Sequence, residues 1–263
     1  FLSEAEHFIK EDPEKPFFLY YALHQPHVPR VPNPKFAGKS GLGPRGDVIM
    51  EMDHCVGELT AFLEKEGLLD NTILLFTSDN GPVLDDGYMD DAERFNTMAQ
   101  RRPAGPLRGG KYSKFESGAR IPLIVSWKSH IRPAVSHALV SQVDFAASFA
   151  SMLGVDLGDW APDSQDHLDA FLGGSIEGRE EIFAEAANKS HFLRRGKWTY
   201  MQPSDGPAHD FTTNIELGNS RDHQLYNMEY DAGQRVNVAE IHPDLVEKMS
   251  RRIEEIKASA RTR

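Results

Sequence analysis

Three short hydrophobic segments stand out in the first half of the chain, at residues 17–23, 73–76 and 123–127, the last with one polar residue, Ser126. The first two are unbroken and do not alternate between polar and apolar positions, which predicts strands buried on both faces, and the third predicts a further apolar strand. Residues 45–66 carry apolar side chains at helical spacing and are followed by Gly67, so we predict a long helix between the first two strands. The order strand, helix, strand predicts an α/β sheet with a right-handed crossover.

The second half has a different pattern. A polar segment rich in Asp and Gly covers residues 156–178, and we place a domain boundary there. Beyond it, residues 181–185, 192–201 and 224–227 predict short strands around tight turns, and residues 242–260 predict an amphipathic terminal helix. Antiparallel strands with one helix make a small α+β unit. Shorter helices are predicted at residues 3–11 and 145–153.

Polar side chains follow two of the predicted strands. His24 and His27 come after the first strand, and Asp79 and Asn80 come after the second. Side chains at the carboxyl ends of strands carry the chemistry in open α/β sheets, and we expect His27 and Asp79 to share a pocket. Carboxylate and amide oxygens suit Ca²⁺ or Mg²⁺ better than Zn²⁺. Two simpler interpretations stay open, a plain Ser-Asp-Asn-Gly turn and a proline-rich surface loop with incidental histidines.

Residues 107–122 are dense in glycines and cations. Glycines let the backbone approach a ligand closely, and Lys111 can present a point charge to an anionic ester. We expect Glu116 and Arg120 to form a structural pair that holds this loop. The polar stretch before it, residues 83–106, contains Arg102 and either contacts substrate or is solvated surface.

Composition narrows the possible functions. The chain has 263 residues, with 29 Lys and Arg against 40 Asp and Glu, and its net charge of −11 argues against nucleic-acid binding. One cysteine, Cys55, excludes an internal disulfide framework and a cysteine-built zinc site. We find no apolar stretch long enough for a membrane span and no signal-peptide pattern, and we expect the sequence to be processed or partial.

The motifs taken together resemble the sulfatase family of the alkaline-phosphatase superfamily. The similarity extends over nearly the whole chain, with the motifs in the family's order. It rests on residues 17–21 with 26–29, residues 77–81, residues 107–111 with 115–122, residues 141–144, and residues 225–227 with Asp231, Asn237 and Ala239.

This resemblance implies an α/β fold, part of an alkaline-phosphatase-like, mixed or mostly parallel sheet flanked by helices. A small C-terminal α+β subdomain with an antiparallel sheet is implied as well. Residues 1–155 would be the C-terminal portion of the catalytic α/β domain, and residues 156–263 the subdomain.

The resemblance also implies roles for individual residues. Asp79 and Asn80 would ligate one Ca²⁺ ion. His27 and Lys111 would contact the sulfate ester, with His27 placed to protonate the leaving oxygen, and His24 would contact sugar hydroxyls. A sulfate ester is anionic and its transition state builds negative charge on the bridging oxygen, so a proton donor and fixed cations are suited to it.

One departure from the family pattern matters. Sulfatases carry, further upstream, paired aspartates for the metal and a Cys-x-Pro-Ser-Arg motif whose cysteine becomes formylglycine, the nucleophile. This sequence contains neither, and Cys55 is followed by Val56 and Gly57 instead. Ser117 stands where the family commonly has glycine, a lesser difference. We expect a partial chain that needs the missing N-terminal part of the same protein and is inactive alone.

The polar insertion favours a hydroxyl-rich substrate, so we predict a sulfatase for a carbohydrate sulfate, with Arg102 as a sugar contact. Family membership implies a periplasmic or secreted protein. One alternative is a phosphoryl-transfer relative with two Zn²⁺ ions, which Asn80 disfavours because an amide oxygen is a poor zinc ligand. The other is a non-catalytic carbohydrate-binding homologue, disfavoured because no structural need explains His27, Lys111, Asp79 and Asn80 together.

Overall fold

Two compact units make up the computed structural model, which describes residues 1–12, 14–85, 89–259 and 261–262. These units reflect packing within this chain, and the boundary after residue 155 stays a prediction. Unit 1 comprises Phe1–Ile73 and Leu84–Pro103, and unit 2 comprises Leu74–Val83 and Ala104–Arg263.

Unit 1 is helical. Its long helix α2 begins with a proline in the first turn, a position where the missing N–H costs nothing. Helix α1 packs against α2 through Ala5 and Ile9, which are buried together with Phe62 and Leu63. The predicted helices are thus confirmed, with α1 at Leu2–Glu11, α2 at Gly43–Lys65 and a further helix α3 at Ala92–Met98 inside the polar insertion.

The predicted buried strand at residues 17–23 is wrong in this structure. Exposed and half-buried side chains alternate along these residues, and Phe18 and Tyr20 are 75% and 84% exposed. Their backbone bonds are local, from Ala22 N–H to Tyr20 O at 3.2 Å and from Leu23 N–H to Tyr21 O at 3.1 Å. A strand needs a neighbour to accept its ladder hydrogen bonds, and no described strand pairs with these residues.

The other two runs do form strands, β1 at Ile73–Thr77 and β2 at Leu123–Trp127, paired in a two-stranded sheet. The predicted burial on both faces is wrong for β1. Every residue of β1 is only half-buried, and exposure alternates along β2, where Ile124 is 60% exposed. A two-stranded sheet leaves much of its surface uncovered.

The core of unit 2 is an antiparallel sheet of four strands covered by helix α7. Leu193 lies opposite both Phe183 and Tyr200, and it is completely buried with Ile253 of α7. The predicted α+β unit is confirmed. Its strands are β3 Glu181–Ala186, β4 Ser190–Arg195, β5 Trp198–Met201 and β8 Gln224–Asn227, in the order β3-β4-β5-β8, and α7 covers Pro243–Ser259.

Smaller elements complete unit 2. Helix α5 ends at Gly154, which has a φ of 66° in the left-handed region that glycine adopts easily. A short hairpin, not predicted from sequence, pairs β6 with β7. The bounds are α4 Glu116–Ala119, α5 Phe145–Leu153, α6 Leu168–Phe171, β6 His209–Asp210 and β7 Ile215–Glu216.

A buried ion pair holds the start of α5. Asp144 accepts two hydrogen bonds from Arg179, at 2.8 and 2.6 Å, and its side chain is completely buried. Asp144 also accepts the backbone N–H groups of Ser141 and Gln165. The carboxylate thus accepts four hydrogen bonds, which compensate the loss of water around a buried charge.

Candidate functional site

The turn that follows β1 presents two oxygen donors. Asn80 donates its side-chain N–H to Gly81 O at 2.9 Å, which leaves the amide oxygen for another partner. Asp79 is exposed, and its carboxylate meets no partner within the described part of the chain. The turn interpretation accounts for the Asn80 side-chain bond, and the ligand interpretation stays a prediction.

A close backbone approach joins this turn to the glycine-rich loop. Gly81 N–H donates to Gly118 O at 3.0 Å, and a Cβ atom at Gly81 would lie 1.6 Å from Ser117 O. Lys111 N–H donates to Pro82 O at 2.9 Å. Only glycine fits at position 81, since the opposing atom belongs to the backbone and cannot turn aside.

The ammonium group of Lys111, next to this junction, is available to bind an anion. Its Nζ lies 5.4 Å from the centre of the Tyr112 ring, a cation–π distance, and it forms no ion pair with any described residue. Asp79, Asn80 and Lys111 thus lie in one unit, on two segments tied together by backbone hydrogen bonds.

Charged pairs fix the loop that carries Lys111. Arg108 binds both carboxylate oxygens of Glu216 at 2.7 and 3.0 Å, and its guanidinium lies 4.0 Å from the centre of the Phe115 ring. Hydrogen bonding to Glu216 raises the pKa of Arg108. Sequence reasoning missed this pair, because nothing local connects residues 108 positions apart.

The predicted pair of Glu116 and Arg120 is present, at 3.7 Å. The structure adds Arg194 of β4, whose guanidinium lies 3.3 Å from the same carboxylate. Glu116 is only 13% exposed, so the two cations serve to compensate a largely buried charge.

Lys114, three residues beyond Lys111, is completely buried and serves the fold instead. Its Nζ donates to Gln202 O at 2.9 Å and to Ser204 Oγ at 3.0 Å. Burial lowers the pKa of Lys114 from 10.5 to about 8. The pKa falls because the Lys114 ammonium is surrounded by neutral acceptors, which stabilise its positive charge less well than water does.

The two candidate histidines lie in unit 1, on a turn closed by a hydrogen bond from His27 N–H to His24 O at 2.9 Å. Both side chains are exposed. The Nδ1 atom of His27 lies 2.8 Å from Val28 O. A carbonyl oxygen can only accept, so Nδ1 carries the proton and Nε2 stays available to a ligand.

A buried pair holds this turn within unit 1. Arg30 donates to Pro26 O at 2.9 Å and to Asp90 at 2.6 Å, and both side chains of the ion pair are almost fully buried. The pair connects the proline-rich turn to the insertion that carries Arg102. Arg102 itself is exposed, and the described residues provide its guanidinium with no partner.

The six candidate residues therefore divide between the units. His24, His27 and Arg102 lie in unit 1, whereas Asp79, Asn80 and Lys111 lie in unit 2. A shared pocket of His27 and Asp79 stays a prediction. Among the described residues, no group of three or more His, Cys, Asp or Glu side chains is arranged to hold a metal, and no helix has the length and apolar character to cross a membrane.

Comparison with known proteins identifies the class of fold. A sulfatase family model matches residues 1–155. A solved structure from work on glycosaminoglycan metabolism by Bacteroides thetaiotaomicron matches with a TM-score of 0.94 at 46% identity, covering 98% of this chain and 53% of that one. The sulfatase PsFucS1 from Pseudoalteromonas matches with a TM-score of 0.77 at 25% identity, covering 98% and 51%. The fold is therefore the alkaline-phosphatase-like α/β fold, as predicted.

Sequence relatives agree. The N-acetylgalactosamine-6-O-sulfatase of Bacteroides thetaiotaomicron is 48% identical over 97% of this chain and 50% of its own length. Human arylsulfatase A is 33% identical over 86% of this chain and 45% of its own length. The chain belongs to the sulfatase family, and it spans about half the length of the curated relatives it matches.

The burial of Lys114 predicts a pH-dependent stability. Between pH 8 and 10.5 the unfolded chain keeps a proton that the folded chain has lost, so the contribution of Lys114 to the free energy of unfolding rises with pH. The free energy of unfolding is measured in urea for the unaltered protein and for Lys114→Met. We expect the unaltered protein to gain stability relative to Lys114→Met as the pH rises across this interval. Lys248→Met, at an exposed position of α7, is the control. A difference independent of pH would contradict the assignment.

Proposed function

We propose that the protein to which this chain belongs is a sulfuric ester hydrolase that acts on a sulfated carbohydrate. The observation that carries the proposal is the 48% identity, over 97% of the chain, to the N-acetylgalactosamine-6-O-sulfatase of Bacteroides thetaiotaomicron. We take a 6-sulfated N-acetylgalactosamine unit as the first substrate to test. The side chains described above support the chemistry, step by step.

Lys111 is assigned to the sulfate group. Its ammonium has no carboxylate partner among the described residues, so it can give its full attraction to an anion. Negative charge grows on the bridging oxygen as its bond to sulfur breaks, and a cation fixed beside the sulfate group lowers the energy of that state. The hydrogen bond from Lys111 N–H to Pro82 O holds the start of this side chain.

His27 is assigned to the leaving oxygen. Nδ1 is occupied by Val28 O, which orients the ring and directs Nε2 to the ligand. When the ring is an imidazolium, with Nδ1–H bound to Val28 O, Nε2 carries a second proton. That proton can pass to the sugar oxygen as its bond to sulfur breaks, which leaves a neutral imidazole protonated on Nδ1 and an alcohol as product. His24, on the same turn, is assigned to sugar hydroxyls.

Asp79 and Asn80 are assigned to one Ca²⁺ ion. A carboxylate and an amide oxygen on adjacent residues fit a hard cation, which takes six to eight oxygen ligands in all. Two donors are only part of such a shell, and we infer that the rest of the protein supplies the others. When bound, Ca²⁺ provides positive charge beside the sulfate, and formylglycine, also expected upstream, provides the nucleophile.

The rest of the same protein is therefore the partner of this chain. Exposed apolar side chains on the segment at residues 17–23 and on β2 support this, since Phe18, Tyr20 and Ile124 are all at least 60% exposed. Such surfaces are usually covered by protein. Export to the periplasm or to the outside of the cell belongs to the same proposal, on the ground of family membership.

The first test measures sulfate release by the full-length protein from 6-sulfated N-acetylgalactosamine. We expect turnover by the unaltered protein and a loss of about 100-fold or more in kcat for Lys111→Ala, the usual effect of removing a group that stabilises developing charge. Lys248→Ala removes an exposed lysine of the same unit and serves as the control. The proposal fails if the unaltered protein, with its formylglycine formed, releases no sulfate.

The metal assignment has a test that does not depend on activity. Calcium binding to the full-length protein is measured by titration calorimetry, and we expect Asp79→Ala to weaken it by about tenfold or more through loss of an anionic ligand. Asp159→Ala, which removes another exposed carboxylate of unit 2, should leave the affinity unchanged. Equal affinities in Asp79→Ala and the unaltered protein would remove Asp79 from the site.

Arg102 is the remaining candidate sugar contact, because its guanidinium is exposed and has no partner among the described residues. In the full-length protein, Arg102→Ala should raise KM for the sulfated sugar about tenfold or more, since a hydrogen bond from a charged group contributes about 1.5–3 kcal/mol. Arg132→Ala, at another exposed position, is the matched control. Unchanged turnover and KM in Arg102→Ala would exclude this residue from the site.

A further inference from the structure

A pocket of about 500 Å³ lies in unit 2, directly beside the loop that carries Lys111. Tyr112 forms one wall, and the turn between β6 and β7 forms another through Phe211 and Thr212. Tyr112 also contacts Lys111, whose Nζ lies 5.4 Å from its ring centre. The pocket therefore shares the wall residue Tyr112 with the group that we assign to the sulfate.

An exposed aromatic ring stands at the mouth of this pocket. Phe211 is 89% exposed at the tip of the β6–β7 turn. The ring of His209 lies 5.1 Å from it, and His209 is itself bound to Asn214 at 3.1 Å. Glu216 connects the hairpin to Arg108. The Phe211 ring is thus exposed beside the pocket and touches one histidine ring, so it has a face available for stacking on a ligand.

The opposite wall is held in an unfavourable backbone conformation. Tyr112 has a φ of 76°, in a region that bulky residues avoid. Its carbonyl accepts Ala187 N–H at 3.0 Å, and the next residue, Asn188, also lines the pocket with a φ of 61°. Strain of this kind persists where the surrounding contacts impose it, and it is concentrated at ligand sites.

Polar groups on the floor indicate what kind of ligand fits. Asp210 accepts two hydrogen bonds from Thr212, at 2.8 Å from its N–H and 2.5 Å from its hydroxyl. The hydroxyl bond from Thr212 is the largest cause that lowers the pKa of Asp210, so the carboxylate is ionised. It attracts hydroxyl donors and repels a second anionic group. The Asp210 carboxylate can accept hydrogen bonds from sugar hydroxyls, and aromatic rings lie beside it. This combination suits a pyranose ring that carries no negative charge of its own.

We propose that this pocket is a subsite for an uncharged sugar unit that adjoins the sulfated unit in a glycan chain, with Phe211 and Tyr112 stacking on its ring. This assignment rests on the proposed function. It makes the enzyme prefer an oligosaccharide over a single sulfated sugar, because the second sugar adds contacts that the monosaccharide lacks.

The test compares two substrates of the full-length protein, 6-sulfated N-acetylgalactosamine and an oligosaccharide in which the same unit adjoins an uncharged sugar. We expect Phe211→Ala to lower the ratio of kcat/KM for oligosaccharide over monosaccharide about tenfold, the loss of one aromatic contact. Phe211→Tyr keeps the ring and should restore the ratio.

Tyr112→Asn, which removes the other ring but tolerates positive φ, should also lower the ratio of kcat/KM for oligosaccharide over monosaccharide. Trp160→Ala removes a 92% exposed aromatic elsewhere in unit 2 and is the control.

A ratio unchanged in Phe211→Ala and Tyr112→Asn would overturn the subsite while leaving the sulfatase proposal intact. Binding of the same oligosaccharide without its sulfate, followed by saturation-transfer NMR, separates the two proposals further. If the unaltered protein hydrolyses neither substrate yet binds the unsulfated oligosaccharide through Phe211, the proposed function fails and the pocket stands. If it binds no unsulfated oligosaccharide, or binds it equally in Phe211→Ala, the subsite is excluded.

Discussion

The backbone contact between Gly81 and the glycine-rich loop is the constraint on which the candidate site in unit 2 depends. A Cβ at Gly81 would lie 1.6 Å from Ser117 O, so the two segments meet at a distance that only glycine permits. Two backbone hydrogen bonds close the junction, from Gly81 N–H to Gly118 O and from Lys111 N–H to Pro82 O. The oxygen donors of one segment and the cation of the other are thereby fixed in one frame, which preorganises a site before any ligand arrives.

Two lysines on the same loop, Lys111 and Lys114, have opposite environments. Lys111 keeps its ammonium available, whereas Lys114 directs its own into the interior and bonds to Gln202 and Ser204. Burying the second lysine without a carboxylate costs free energy, which its lowered pKa records. The Lys114 hydrogen bonds hold the loop to the interior of unit 2. The ammonium of Lys111, on the same loop, has no carboxylate partner among the described residues.

Much of the fold could be predicted from sequence, and the failures have one physical origin. Helical periodicity and the caps at Gly67 and Gly154 are local, and so the predicted helices are observed. The run at residues 17–23 has the composition of a strand, but pairing is a property of neighbours, and the described chain provides none. Asp79 and Asn80 could be singled out from sequence because they follow a strand directly, and their role as Ca²⁺ ligands stays a prediction. The pair of Arg108 with Glu216, and the pocket beside Tyr112, join residues far apart in sequence and leave no local signal.

The strained backbone of Tyr112 lies between Lys111 and the pocket. A bulky residue at positive φ costs about 1–2 kcal/mol, and the neighbouring contacts must oppose its relaxation. Ser113 N–H donates to Gly110 O at 3.0 Å on one side, and Ala187 N–H donates to Tyr112 O on the other. Ser113 is in turn bound to Glu216, the residue that holds Arg108. These hydrogen bonds connect the backbone around Lys111 and Tyr112 to the hairpin that carries Phe211, so the proposed sulfate contact and the proposed sugar subsite lie on connected segments.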